Sequence, residues 1–293
     1  MKQLKDRVAV VTGGAGGLGR ALGQRLAQEG MQVVLADVQP DALANTVDEL
    51  RSDGLEVTGV PTDVTKYESV EALRDTTLSA FGAVHVVCNN AGIGAGAEGP
   101  IWQHELNDWR WAFAVNLWGV IHGINAFVPV MLAQDDEGHV VNTSSGNGGI
   151  APLPPTPQYA VTKAGVVTLT ECLYGQLQDT TDKVSASVLF PGPHMLRTGL
   201  FESWRTRPDE FAKERPRQTP YITYDEMEQQ MKAAGVDVAY TPVEEVAERV
   251  VEGLYANAFW IHPVNERSDD QLRQRTESML KRENPTYLRA VPG

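Results

Sequence analysis

The sequence predicts a doubly wound α/β domain, a seven-stranded parallel sheet with helices on both faces. Three observations carry that prediction. Short β-branched runs alternate with longer stretches of helical period. The runs are apolar throughout, as strands covered on both faces must be. A glycine-rich turn joins the first run to the first helical stretch.

The elements follow in order. Arg7 to Thr12, with Val8-Ala9-Val10-Val11 at its centre, is the first strand, Gly17 to Glu29 the first helix and Gln32 to Asp37 the second strand. Together they form a βαβ unit. Further strands are predicted at Leu55 to Val60, Val84 to Cys88, His139 to Thr143, Val184 to Phe190 and Phe259 to His262, each preceded by a helical stretch. Thr65 with Glu68 and Thr241 with Glu244 have capping-box spacing, Pro242 suits a first helical position, and Gly30 and Gly54 follow helix ends. No repeat, low-complexity tract or linker divides the chain, so residues 1–293 are expected to be one Rossmann-like domain. Residues 194–240, rich in charge and aromatics, read as an insertion over the sheet edge, and 264–293 as a polar extension.

Composition narrows the function. With 25 Lys+Arg against 38 Asp+Glu the formal net charge is -13, which repels nucleic acid and anionic lipid alike. The longest uninterrupted apolar stretches, such as Ala126 to Leu132, fall short of the roughly 20 residues that span a bilayer. Val8 to Val11 is too short for a signal-peptide core, so a cytoplasmic protein is expected. Cys88 and Cys172 lie in apolar segments and read as buried, reduced thiols. The six His show no paired ligand spacing, so no metal is expected.

The chemistry-bearing residues gather at the predicted carboxyl ends of the strands. Thr12-Gly13-Gly14-Ala15-Gly16-Gly17-Leu18-Gly19 opens into a helix, where free N–H groups and the helix dipole stabilise a pyrophosphate. Gly13, Gly17 and Gly19 allow the sharp turn and the close approach of backbone. Asp37 ends the second strand, where a carboxylate accepts from ribose hydroxyls and repels a 2′-phosphate, favouring NAD over NADP; alternatively it caps the following turn. Asp63 ends the third strand and also suits an Asx-turn, and Asn89-Asn90-Ala91-Gly92 ends the fourth.

Tyr159 and Lys163 stand four apart on one helical face, and of the eight Tyr only Tyr159 has Lys in that place. A fixed cation favours the phenolate and makes the phenol a usable acid or base. Ser145, after Val140 to Ser144, brings a hydroxyl to the same edge, or is an ordinary loop serine. Asn116 is polar among apolar neighbours and needs partners, whether for a catalytic water or for structural satisfaction alone.

Thr12 to Gly19, Asn89 to Gly92, Ser145 and Tyr159-x-x-x-Lys163 together resemble the short-chain dehydrogenase/reductase family, over roughly residues 5 to 193 and again from Thr241 to Pro263. The resemblance implies that Tyr159 is the general acid/base, that Lys163 holds the nicotinamide ribose and lowers the Tyr159 pKa, that Ser145 orients the substrate oxygen and that Asn116 positions a relaying water. It implies cofactor contacts from Gly13, Gly17, Leu18, Gly19, Asp37, Asp63, Val64, Asn90, Tyr159, Lys163, Pro191 and Gly192. After Pro191-Gly192 the chain departs from the family pattern, reading Pro193-His194-Met195-Leu196-Arg197-Thr198.

The expected activity is hydride transfer between NAD(H) and a hydrophobic, ring-containing secondary alcohol or ketone. Phe201, Trp204, Phe211, Tyr221, Tyr224, Met227 and Met231 in the insertion prompt that substrate class, unless they only anchor the insertion. The long insertion and tail loosely resemble bacterial aryl-carbinol dehydrogenases. A homodimer or homotetramer is implied through Leu106 to Leu132 and Tyr159 to Asp179, with Leu169, Leu173 and Leu177 as an interface row or as core. Two alternatives differ in class: an NAD(H)-binding sensor or scaffold without turnover, which has no need of the Ser145, Tyr159 and Lys163 set, and a sugar-nucleotide epimerase or dehydratase, whose glycine spacing differs.

Overall fold

The computed structural model describes residues 1–94 and 96–289. Its strands are β1 Val8–Thr12, β2 Gln32–Asp37, β3 Val57–Pro61, β4 Val86–Asn89, β5 Gly138–Thr143, β6 Val184–Leu189 and β7 Trp260–Ile261. They form one sheet in the order β3-β2-β1-β4-β5-β6-β7, all pairs parallel. The order reverses between β1 and β4, which opens a crevice at the carboxyl ends of those strands. The helices are α1 Gly17–Gln28, α2 Pro40–Ser52, α3 Tyr67–Phe81, α4 Leu106–Phe113, α5 Gly119–Ala133, α6 Gly146–Gly149, α7 Pro157–Thr180, α8 Tyr224–Ala233, α9 Val243–Ala256 and α10 Glu266–Lys281.

Both faces of the sheet are buried, and alternate residues of one strand serve opposite cores. Ala9 and Val11 join α1, α2 and α9 through Leu22, Leu26, Leu43, Leu50, Val250 and Leu254. Val10 joins α3, α5 and α7 through Leu73, Phe127, Met131, Leu173 and Leu177. Leu173 and Leu177 are therefore core residues, which corrects their reading as an interface row. Cys88 is buried, and desolvation pushes its thiol up to about 12. Cys172 is exposed on α7, contrary to the expectation from its neighbours.

Other departures have local causes. The third strand starts two residues late because Gly54, at φ +81°, lets Leu55 N–H turn back to the Leu50 carbonyl. Val84 leaves the fourth strand because its N–H and carbonyl pair with the Gln134 side-chain amide at 2.8 and 2.9 Å. Neither predicted capping box forms. Thr65 turns to Asp63, while the Thr241 hydroxyl accepts the His194 N–H and Pro242 becomes the cap residue of α9. A capping box does form at Thr223 and Glu226.

α4 and α5 are joined through a π-helical turn, Ala114–Trp118, into one helix spanning Leu106–Ala133. Its mean hydropathy reaches 1.5 over 18 residues, so it is long and apolar enough to cross a membrane by length and composition; half of that window is buried within this chain. Isolated polar residues interrupt the stretch, so no uninterrupted apolar run of spanning length marks it in the sequence.

The insertion is tied to the body by charge. Asp108 on α4, 1% exposed, accepts from Arg207 at 2.7 Å and Lys213 at 2.8 Å. Glu105 accepts the N–H groups of Glu214 and Arg215, and Glu98 those of Gln218 and Thr219. Arg207 also lies 5.0 Å above the Trp111 ring. Removing Asp108 strands two cations, so Asp108→Ala is expected to cost about 3–5 kcal/mol in urea unfolding. Asp225→Ala, which breaks the exposed pair with Arg197, is expected to cost no more than about 1 kcal/mol. Equal losses would show that the Asp108 cluster is not a clasp.

Candidate active site

The turn after β1 is built for close backbone approach. Gly13 has φ +71° and Gly17 φ +51°, and a Cβ on Gly19 would lie 2.0 Å from the Gly13 carbonyl oxygen. The turn is held from two sides. Thr12 Oγ1 accepts the N–H groups of Asn90 and Ala91, and the Asn90 amide donates to the Thr12 carbonyl at 3.1 Å. Gly14 N–H donates to the Ala36 carbonyl. No side chain caps α1 and no acid stands in its first turn, so the N–H groups from Gly17 to Gly19 face an anion-ready end. This cradle fits the pyrophosphate of a dinucleotide.

Asp37 accepts from Ala15 N–H and Gln39 N–H, each at 3.0 Å, one with each carboxylate oxygen. It thus caps the turn after β2 and braces the glycine turn, and its remaining lone pairs leave room for hydroxyl donors. Asp63 forms the Asx-turn, accepting from Thr65 N–H at 2.9 Å. Val64 packs under Gly119, and its carbonyl meets His122 Nδ1. Leu18 is buried in the core beneath α9.

Two strands away the proton-handling groups converge. Lys163, 3% exposed, donates from Nζ to the Thr143 carbonyl at 2.9 Å and lies 5.7 Å from the Tyr159 ring centroid. Ser144 Oγ donates back to the Lys163 carbonyl at 2.8 Å. Ser144 is thus structural, which leaves Ser145 as the hydroxyl beside the phenol. Ser145 caps α6 by accepting the Asn147 N–H. Asn116, fully buried in the π turn, accepts from Ile93 N–H at 2.8 Å and donates to the Ile93 carbonyl and Thr162 Oγ1. Thr162 in turn donates to the Tyr159 carbonyl. Asn116 Oδ1 and Lys163 Nζ lie 3.4 and 3.5 Å from the place a Cβ on Gly92 would take, so only a glycine leaves the space between them open.

Electrostatics differ from the expectation for Tyr159. Burial pushes its pKa above the ordinary tyrosine value, and the Ser145 hydroxyl opposes this only in part. Lys163 does not offset the rise, because its ammonium is turned onto the Thr143 carbonyl and burial lowers its own pKa to about 8.

Several contributors carry no motif. Arg249 on α9 donates to the Phe190, Pro191 and Gly192 carbonyls. Arg275 on α10 donates to the Ile150 carbonyl at 2.8 Å, holding the loop that follows Ser145. Ser203 Oγ accepts the Gly94 N–H, and the Thr198 side chain lies 2.9 Å from a Cβ built on Gly17. The insertion therefore reaches the glycine turn itself. Many of its aromatics pack on one another: Trp204 stacks on Tyr221 at 4.6 Å, and Tyr224 lies between Phe201 and Tyr240. Tyr224 and Met227 are buried anchors, whereas Met195, Leu200 and Phe201 remain exposed. Among the described residues no cluster fits a metal ion.

The buried ammonium has a measurable signature. Between about 8 and the usual 10.5, the unfolded chain holds the Lys163 proton and the folded chain does not. Stability therefore rises with pH across that window through this group, and below it the cost of the buried cation is constant. Relative to Lys163→Met, the wild type should gain roughly 2 kcal/mol in unfolding free energy between pH 7.5 and 9.5. Parallel pH profiles would mean that the lysine is solvated.

Comparison with known proteins agrees with this geometry. The short chain dehydrogenase family model matches residues 7–209. The C alpha-dehydrogenase of Sphingobium sp. strain SYK-6 is 30% identical over 266 residues, 91% of this chain and 83% of that protein. A short chain dehydrogenase/reductase from Burkholderia phymatum, solved in complex with NAD, is 39% identical with a TM-score of 0.86 over 98% of each chain. A metagenomic short-chain oxidoreductase in complex with NADP is 30% identical with a TM-score of 0.59, covering 64% of this chain and 83% of that one. With the parallel sheet, the glycine cradle and the Tyr159–Lys163 pair already in place, the chain belongs to the short-chain dehydrogenase/reductase family, oxidoreductases of alcohols and ketones that bind a nicotinamide cofactor.

Proposed function

We propose that this protein is an NAD(H)-dependent dehydrogenase or reductase acting on a hydrophobic, ring-containing secondary alcohol or ketone, with Tyr159 as general acid/base. The observation that carries the reading is the convergence of Tyr159, Lys163 and Ser145 at the carboxyl edge that also holds the glycine cradle. A binder without turnover has no need of that set.

In the oxidative direction Ser145 donates to the substrate oxygen and orients it, and Tyr159 takes the hydroxyl proton as the carbonyl forms. The nicotinamide cofactor supplies the hydride acceptor or donor. Lys163 would favour the phenolate once its ammonium turned from the Thr143 carbonyl toward the cofactor ribose, and Asn116 faces it across Gly92, where a water between them would relay the proton outward. Gly13, Gly17, Leu18 and Gly19 would hold the pyrophosphate. Asn90 would meet the ribose side, and Asp63 with Val64 the adenine. Asp37 favours NAD, because a 2′-phosphate would meet its carboxylate. The exposed Met195, Leu200 and Phe201 supply apolar surface for the substrate, and the similarity to the Sphingobium C alpha-dehydrogenase covers 91% of this chain.

With purified protein and a panel of aryl carbinols, aliphatic alcohols and sterols, turnover is expected with NAD, to exceed that with NADP, and to be fastest on aryl carbinols. Tyr159→Phe should lower kcat by at least about a hundredfold while leaving NADH binding intact. NADH binding without turnover on any class would move the reading to a sensor. Oxidation of aliphatic alcohols alone would reject the ring-containing class, and oxidation of sterols without aryl carbinols would reject the preference for aryl carbinols.

Assembly follows from the same helices. Leu106 and Trp118 are exposed on the long helix, and an open hollow there is lined by Trp109, Arg110, Phe113 and Trp118, a largely apolar face suited to a second copy of this chain. Light scattering should give a dimeric or tetrameric mass, and a strictly monomeric one would reject this.

A further inference from the structure

The turn that follows Ser145 is built from residues that fix little on their own. Gly146-Asn147-Gly148-Gly149 carries three glycines, and Pro152, Pro154, Pro155 and Pro157 close behind it have no N–H. Asn147 and Gly148 leave the helical region, Gly148 at φ +103°. Such a segment has more carbonyls than amides to pair with them and depends on its neighbours to hold it.

The body of the protein holds part of it. A Cβ on Gly148 would lie 2.1 Å from the Ala160 carbonyl oxygen, so the turn rests on the residue after Tyr159, and a Cβ on Gly149 would lie 2.4 Å from the Phe190 ring. Gly149 N–H donates to the Ser145 carbonyl at 3.1 Å, and Asn147 N–H donates to Ser145 Oγ at 3.2 Å. The Asn147 side chain is itself tied to Leu153 N–H and Thr156 Oγ1, both at 2.8 Å. A serine hydroxyl that accepts a fixed N–H keeps its own O–H to donate elsewhere. The turn therefore aims the Ser145 donor.

The extension holds the rest. α10 lies beyond the residues matched by the family model, is capped by the Asn265 side chain accepting Ser268 N–H, and has no buried residue. Ser268, Gln271, Arg275 and Ser278, partly buried at helical spacing, turn one polar face to the body. Burial of apolar side chains thus does little to dock this helix. Among the described residues its only hydrogen bonds to residues 1–264 come from Arg275, whose Nη1 lies 2.8 Å from the Ile150 carbonyl oxygen and 3.5 Å from that of Gly148.

We propose that Arg275 is a positioning residue for Ser145: from the extension it grips the Gly148 and Ile150 carbonyls, fixes the turn and so keeps Asn147 N–H on Ser145 Oγ with the O–H left for the substrate oxygen. This rests on the role of Ser145 proposed above. The extension is then part of what the reaction needs.

A double-mutant cycle on the alcohol of the panel that is oxidised fastest separates this from a role in docking α10 alone. Ser145→Ala should lower kcat about a hundredfold. Arg275→Met should lower kcat about tenfold and leave the NADH Kd within about twofold. In the Ser145→Ala background the same substitution should cost less than about twofold, because its effect passes through the missing hydroxyl. Arg275→Lys, which keeps the charge but not the fork, should fall between wild type and Arg275→Met, and it takes the place of the methionine variant in the cycle should that one not fold. In apo protein Arg275→Met should also speed hydrogen exchange at the Gly149, Ile150 and Ala151 amides about tenfold. Losses that multiply, an unchanged kcat, or faster exchange confined to residues 266–281 overturn the assignment and leave Arg275 a docking tie for α10. No turnover by the wild type, or a Ser145→Ala variant as active as the wild type, overturns the reading of the site, and this assignment with it.

Discussion

The site depends on a reciprocal pair of hydrogen bonds between the end of β5 and the first turns of α7. Lys163 Nζ reaches the Thr143 carbonyl, and Ser144 Oγ reaches the Lys163 carbonyl. One bond brings an ammonium into the core, and the other ensures that the helix carrying it cannot slide along the sheet. Ser145 and Tyr159 are then neighbours because the residues before and after them are bonded. The buried cation is destabilising in itself, as its lowered pKa records, and the surrounding fold holds it in place.

A second polar line crosses the sheet beneath this junction. Asn89 on β4 donates to Asn142 on β5 at 2.8 Å, and Asn142 donates to Thr170 on α7 at 3.0 Å. A Cβ on Gly123 would lie 2.0 Å from Asn89 Oδ1, so α5 can approach the line only with a glycine there. Partly satisfied buried polar groups cost stability, but a connected row ranks one packing of strands and helix above its apolar competitors. The orientation of α7, and hence of Tyr159, is fixed at two points of its inner face, Lys163 and Thr170, about two turns apart.

Much of this was legible in the sequence because it is periodic or local. Continuous apolar runs marked the strands, and the glycine turn, Tyr159 and Lys163 lie within short windows where spacing alone fixes geometry. What escaped was set by partners distant in sequence. Thr65 and Thr241 have the spacing of caps, but their hydroxyls are claimed by Asp63 and by His194 N–H. Cys172 sits in an apolar stretch and nevertheless faces outward, because the helical phase of α7 and not local composition decides its side. Arg249 and Arg275 bind main-chain carbonyls, acceptors that every residue carries, so no residue pattern marks them. The clasp of Glu98, Glu105 and Asp108 joins segments about a hundred residues apart.

The π turn at Ala114–Trp118 adds one residue to an otherwise α-helical ladder and puts Asn116 in the wide turn. Both halves of the long helix are pinned independently: Trp111 is packed on Ile93 before the turn, and Gly119 and Gly123 are pressed on Val64 and Asn89 after it. An α-helix advances about 100° per residue. Losing one residue here would regularise the ladder, but it would rotate one half away from its contacts or take Asn116 out of reach of Ile93. The two halves are thus phased against each other like gears with one tooth of offset. Substitutions along this helix are tolerated one at a time by local packing, whereas a change in its length is felt at every contact downstream.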